Sequence, residues 1–270
     1  VAREFVRSCG GEQPIIAKIE RAEAIESLGL ILDSSDGVMI ARGDLGVEMG
    51  PEAVPVLQKR IMAEANRRRR VVITATQMLE SMMSQPVPTR AEASDVANAI
   101  FDGTDAVMLS GETARGRYPV ETVQVMDRIV RAAEAERRLT GTATHPRGQT
   151  ETIAEAMCSA AASAAETTGA VALAVMTESG TTARLLSKHQ PAAPIIAFTP
   201  NETTRRRMAL YWGVDPRVMQ WLNPDEQVTE IERRFTSERS GRSGDRIVLL
   251  AGTVAGRPGG TNVMKLHTIQ

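Results

Sequence analysis

The sequence predicts an α/β protein. Four βα units over residues 1–138 amount to half of a (β/α)8 TIM barrel, a linker covers 139–150, and a separate α/β domain covers 151–270. Three observations carry this reading. From residue 14 to about residue 137, a short apolar run, a polar cluster at its C-terminal end and a longer helical stretch recur. The repeat is about 31 residues, the share of chain that each unit of an eight-unit barrel of about 250 residues takes. Near Leu139–Thr150 the composition shifts to Gly, Thr and Pro with little apolar content, the mark of a linker.

In order along the chain, Val1–Cys9 is helix-like. The apolar runs Pro14–Ile19, Gly37–Ala41, Val71–Ala75 and Ala106–Leu109 are continuous rather than alternating, as strands covered on both faces require. Helical stretches between them, such as Pro51–Arg70, make the strands parallel. With Lys18, Asp44, Thr76 and Ser110 as markers of the polar clusters, the intervals are 26, 32 and 34 residues. A barrel builds its active site at the C-terminal ends of its strands, so period and placement together favour a barrel over a doubly wound sheet. Closure needs eight units, and the chain begins with Val1 inside a helical stretch. The expectation is that the other half lies upstream or on another chain. Beyond the linker, an Ala-rich helix (Thr152–Thr167) precedes strand candidates Ala170–Met176, Pro194–Phe198, Arg217–Gln220, Ile247–Ala251 and Asn262–His267, with helical stretches after the first two. The polar, Arg- and Ser-rich region Glu226–Ser243 carries no recognisable chemistry.

Composition narrows the class. The chain is 42% hydrophobic and 24% charged, within the range of ordinary globular proteins, which excludes disordered, collagenous and low-complexity chains. A net charge of −1 gives no global attraction to nucleic acid or anionic membrane. The one basic run, Arg67–Arg70, closes a helical stretch, where cations complement the helix dipole; a solvated helix end is favoured over a binding patch. No apolar run reaches the roughly 18 residues of a membrane span, and the first residues are charged where a signal peptide is apolar. Two cysteines, Cys9 and Cys158, make neither a disulfide framework nor a zinc site. A cytoplasmic protein is expected. Only four of the 32 basic residues are Lys, so Lys18 in an apolar strand needs a reason.

Lys18 and Glu20 lie two apart on a strand and share a face, which leaves two readings: a structural ion pair at a strand end, or a binding pair. Asp44, after the next strand, adds a second carboxylate at the barrel mouth, and two carboxylates with open positions suit Mg2+. Gly43 lets backbone N–H groups approach an anion closely. Thr74 and Thr76 are good strand formers, and Ser110-Gly111-Glu112 reads equally as a turn into the helix at Pro119. Singly these signals are weak.

Together they are specific. Lys18-Ile19-Glu20, Ala41-Arg42-Gly43-Asp44-Leu45-Gly46, Ala75-Thr76-Gln77-Met78-Leu79-Glu80-Ser81-Met82, Pro88-Thr89-Arg90-Ala91-Glu92, Ser94-Asp95-Val96-Ala97-Asn98-Ala99 and Leu109-Ser110-Gly111-Glu112-Thr113-Ala114 resemble pyruvate kinase in order and spacing. The resemblance spans essentially the whole chain, being densest from Ile15 to Glu121. It implies phosphoryl transfer from phosphoenolpyruvate to ADP, giving pyruvate and ATP in glycolysis, with Mg2+ and K+ as cofactors and K+ ligands mostly in the half of the barrel not seen here. By resemblance, Glu20 and Asp44 are metal ligands, Lys18 stabilises the transition state, Gly43, Asp44 and Thr76 cradle the substrate carboxylate, and Ser110 joins the proton-delivery network. The second domain resembles the family's regulatory domain. There Thr177, Ser179, Gly180, Thr181 and Thr182 match the loop that holds the phosphate of an allosteric effector, although a Ser/Thr cluster at a helix start also reads as a simple cap. Glu178 would repel a second phosphate, so a sugar monophosphate or a nucleotide is expected rather than fructose bisphosphate, with Arg257 as a further contact. A homotetramer is implied by the resemblance alone. Four units also imply that the 270-residue chain by itself has little or no activity. An Mg2+-dependent aldolase or lyase on pyruvate-like acids, and a non-catalytic effector-binding module, are the competing readings.

Overall fold

The computed structural model describes residues 1–140, 152–238, 241–252 and 260–270. The chain divides into two compact units, Val1–His145 and Pro146–Gln270. The first contains α1 (Ala2–Ser8), β1 (Ile16–Ile19), α2 (Ala22–Glu26), α3 (Leu28–Ser34), β2 (Gly37–Ala41), α4 (Arg42–Met49), α5 (Val54–Arg67), β3 (Val71–Ala75), a 3-10 turn (Glu80–Met83), α6 (Arg90–Phe101), β4 (Ala106–Met108), α7 (Gly111–Ala114) and α8 (Pro119–Thr140). Residues 139 and 140 of the expected linker are helical, and the rest, 141–150, lies outside the described residues.

The four strands make one parallel sheet in the order β1-β2-β3-β4. Chain neighbours are sheet neighbours throughout, which is the progression of a barrel; a doubly wound sheet reverses its order at a switch point. Val38, Ile40 and Val72 are fully buried, and Ile19, Leu32, Leu45, Ile61, Met62 and Met78 pack with them in one core. Gly37 opens β2 where a Cβ would stand 2.7 Å from the Val71 carbonyl oxygen, so the close approach of β2 to β3 requires glycine. The Arg67–Arg70 run does end a helix: Arg67 and Arg68 both bond Glu64, and Arg68 also reaches Asp33.

Helix α6 is anchored by a capping box. Thr89 accepts the Glu92 N–H, and the Glu92 carboxylate accepts from the Thr89 N–H and hydroxyl and from the Ser81 N–H (2.7 Å) and hydroxyl (2.5 Å). Burial pushes this carboxyl up, but the Ser81 and Thr89 donors outweigh it and hold it below its ordinary 4.5. A depressed folded value contributes stability above the unfolded pKa, and that stability is lost as pH falls through the folded one. Glu92→Gln is therefore expected to cost about 1–2 kcal/mol at pH 7. In urea titrations the gap to wild type closes below about pH 4; a gap constant from pH 7 to pH 3 contradicts the assignment.

The second unit contains α9 (Ile153–Thr168), β5 (Ala172–Met176), α10 (Thr181–Ser187), β6 (Ile195–Thr199), α11 (Glu202–Met208), β7 (Val214–Val218), α12 (Pro224–Ser237), β8 (Arg246–Gly252) and β9 (Thr261–Thr268). Its sheet runs β7-β6-β5-β8-β9, parallel except for β9. One face is covered by Ala154, Cys158, Ala161, Leu185 and Leu186, the other by Met219, Ile231, Phe235 and Ile269. Strand order reverses between β5 and β8, and such a switch point is where open α/β sheets bind ligands. One strand expectation is displaced here, and one region left without an element is helical. β7 starts three residues before the expected Arg217, because an edge strand tolerates the Asp215-Pro216 pair. Glu226–Ser243 is mostly helix: Asn223 caps the Glu226 N–H at 2.9 Å, and Val228, Ile231 and Phe235 form an apolar stripe. Both cysteines are free thiols, Cys9 exposed and Cys158 buried. Among the described residues, no helix is long and apolar enough to cross a membrane.

Candidate active site

The level strand ends set the site. Ile19 pairs with Ile40 and Ala41 with Ala75, so the chain leaves β1, β2 and β3 side by side. Glu20 follows β1 directly. The Ala41–Gly46 segment, expected as a turn, is instead the first turn of α4, with no side-chain cap. Gly43 and Asp44 thus lie where helix N–H groups lack intrahelical acceptors and where a carboxylate meets the positive end of the dipole.

The structure brings Lys18, Glu20 and Asp44 into contact. The Lys18 ammonium donates to Asp44 Oδ2 at 2.8 Å and pairs with Glu20. The bond to Asp44 and then that to Glu20 push Lys18 up to about 12, and Lys18 holds the Asp44 carboxyl below its ordinary value. The ammonium therefore stays protonated at any physiological pH. All three side chains are partly exposed, open to a ligand.

Thr76 joins this group through α4. The Gly43 N–H donates to Thr76 Oγ1 at 2.8 Å, and the Thr76 hydroxyl donates to the Ala75 carbonyl at 2.6 Å. Two residues expected to hold the same anion are thus bonded to each other. A Cβ on Gly43 would meet Thr76 only at ordinary contact distance, so nothing within the chain demands glycine there. Thr76 (φ +67°) and Gln77 (φ +53°) are both left-handed. For a β-branched residue this is an outlier, and each such residue costs about 1–3 kcal/mol that its surroundings must offset. Ser110 follows β4, next to β3 with Thr76 but three strands along the sheet from β1 with Lys18.

Two buried charged residues at this end were not singled out in the sequence. Arg42, 7% exposed, reaches Asp95 and the carbonyls that follow β3. Glu112, 3% exposed, accepts the N–H groups of Leu79 (3.2 Å) and Ser110 (2.8 Å), tying the β3 and β4 ends together. Arg42 and Asp95 are 53 residues apart and no local pattern pairs them.

In the second unit, Gly180 is the left-handed cap of α10 (φ +79°), and a Cβ there would stand 3.0 Å from Met208. Both facts require glycine. The Thr177 hydroxyl accepts the Gly180 N–H at 3.1 Å, and the buried Thr182 hydroxyl bonds Thr261 at 2.5 Å. Each of those two hydroxyls thus makes one bond within the unit, Thr182 to β9. Ser179 and Thr181, 2.9 Å apart at their hydroxyl oxygens, are half-buried. Glu178 accepts from the Trp221 indole N–H at 2.7 Å. Arg257 lies outside the described residues.

Comparison with known proteins matches both units. Residues 1–123 match the family model described as pyruvate kinase, barrel domain, and 155–267 the one described as pyruvate kinase, alpha/beta domain. The chain is 46% identical over 263 residues to a pyruvate kinase of Sporosarcina psychrophila, covering 96% of this chain and 45% of that protein. It is 43% identical over 276 residues to one from Clostridium perfringens, covering 99% and 57%. A crystal structure of a pyruvate kinase from Cryptosporidium parvum superposes with a TM-score of 0.86 at 36% identity, over 96% of this chain and 52% of that one. The chain thus spans about half the length of the curated relatives it matches.

Proposed function

Since the chain belongs to the pyruvate kinase family, we propose that its first unit takes part in glycolytic phosphoryl transfer from phosphoenolpyruvate to ADP, yielding pyruvate and ATP. The observation that supports this best is the Lys18 ammonium held between Glu20 and Asp44 at adjacent strand ends. A fixed cation there lies against the charge that builds on the transferring phosphoryl group and on the enolate oxygen as their P–O bond breaks.

Glu20 and Asp44 are an all-oxygen pair, and among the described residues no cluster of three or more acidic, His or Cys side chains forms. Two carboxylates with room for water and substrate oxygens fit Mg2+, which would draw charge from those oxygens when bound. The proposal uses no K+ ligand from this chain. Gly43 and Asp44 at the start of α4 and Thr76 after β3 orient the substrate carboxylate, which would take the place of the Gly43–Thr76 hydrogen bond. Ser110, held by Glu112, belongs to the polar path that returns a proton to enolpyruvate. The second unit binds a phosphorylated effector at Thr177–Thr182, beside its sheet's switch point. The protein acts as a cytoplasmic homotetramer.

The test is a coupled assay of the natural polypeptide that carries this sequence. ADP- and Mg2+-dependent pyruvate formation is expected. Carbon–carbon cleavage without ADP would point instead to a lyase. Calorimetry showing effector binding but no phosphoenolpyruvate binding would point to a binding module.

The effector reading has its own reporter. Trp221 touches Glu178 inside the loop, so in a Trp212→Phe background its emission should shift saturably on titration with glucose 6-phosphate or AMP. Ser179→Ala should weaken that Kd about tenfold, one charge-assisted hydrogen bond. Unchanged emission with both ligands sinks the assignment.

A further inference from the structure

We propose that Arg42 is a positioning residue: it holds Thr76 in its left-handed conformation and so sets the Thr76 hydroxyl against the Gly43 N–H. The inference rests on the reading of Thr76 as a substrate contact.

The geometry is a single side chain gripping a whole turn. Arg42 Nε donates to the Ala75 carbonyl (3.4 Å), Nη2 to the Thr76 (2.9 Å) and Gln77 (3.2 Å) carbonyls, and Nη1 to Asp95 (2.5 Å). In an extended strand, successive carbonyls point to opposite sides, so one group cannot reach three in a row. They converge here because Thr76 and Gln77 are both left-handed. A planar fork with five donors matches that convergence, whereas an ammonium has one centre from which to donate.

The grip closes on itself through α4. Arg42 is the first residue of that helix and Gly43 the second. The side chain of one holds the Thr76 carbonyl while the N–H of the other holds the Thr76 hydroxyl. The Ala75 carbonyl accepts both Arg42 Nε and the Thr76 hydroxyl, which fixes the rotamer as well as the backbone. Downstream, Glu112 holds the Leu79 N–H, so the turn is pinned at both ends. A strained conformation persists only where its surroundings over-determine it, and the buried guanidinium supplies three of these bonds. Its cost and its purpose meet in one residue: the strain places a hydroxyl beside the Lys18 group's helix.

The test is a double-mutant cycle in the natural polypeptide with Arg42→Lys, Thr76→Gly and the pair. Lysine keeps the charge opposite Asp95 but loses the fork; glycine removes the hydroxyl and relaxes the strain. Arg42→Lys should raise KM for phosphoenolpyruvate about tenfold or more, leave KM for ADP within about twofold, and speed amide exchange at Gly43 about tenfold. In the Thr76→Gly background the same substitution should change either readout by less than about twofold. Equal effects in both backgrounds, or parallel rises in both KM values, would overturn the proposal and leave Arg42 a structural residue. If the wild type turns over no phosphoenolpyruvate, the substrate reading fails by itself, and Gly43 exchange still decides whether Arg42 positions Thr76.

Discussion

Lys18→Met is expected to lower kcat of the natural polypeptide by about a hundred- to a thousandfold while KM for phosphoenolpyruvate changes little. Methionine matches the length and apolar stem of lysine, so the strand is not disturbed, and only the ammonium disappears. That ammonium is the one cation the structure sets between Glu20 and Asp44. A preorganised charge facing the developing phosphoryl and enolate charge acts in the transition state more than in the ground state, and removing one such donor typically costs this much in rate. Steady-state kinetics at saturating Mg2+ give the answer. A kcat within about threefold of wild type would mean that Lys18 is a structural ion pair, the alternative its strand position always allowed.

The second large effect concerns stability. Glu112→Leu should destabilise the protein by about 2–4 kcal/mol, because it leaves the buried N–H of Leu79 and the partly buried N–H of Ser110 without this acceptor. Glu112→Gln keeps one carbonyl acceptor and should cost about half as much. Urea midpoints at constant slope measure both. A leucine variant within about 0.5 kcal/mol of wild type would show that the two amides find other partners. Activity should fall with the leucine variant as well, since the same carboxylate ties Ser110 to the turn that carries Thr76.

Much of the fold was legible because it depends on local pattern. The continuous runs at Gly37–Ala41 and Val71–Ala75 became β2 and β3 with the same bounds, since strands covered on both faces are apolar almost throughout. Thr152 capping α9 and Thr89 capping α6 are likewise local chemistry. The failures are of the opposite kind. β7 carries charge and proline because it lies at a sheet edge, a place that only the completed sheet defines. The helix from Pro224 hid in a charged stretch because its apolar stripe is only one residue in three or four.

The candidate site divides in the same way. The sequence by itself determined which chemical groups stand at the strand ends: one scarce lysine, two carboxylates, a threonine and a serine, spaced by the βα period. It did so because side-chain type and repeat length are properties of the chain. Only the tertiary structure decided that Lys18, Glu20 and Asp44 meet, that Gly43 and Thr76 bond each other, and that Ser110 stands three strands away. It alone showed Arg42 buried against Asp95 and against carbonyls 33 to 35 residues further along the chain. Burial and left-handed backbone at Thr76 arise from packing between elements distant in sequence, and local pattern carries no record of them.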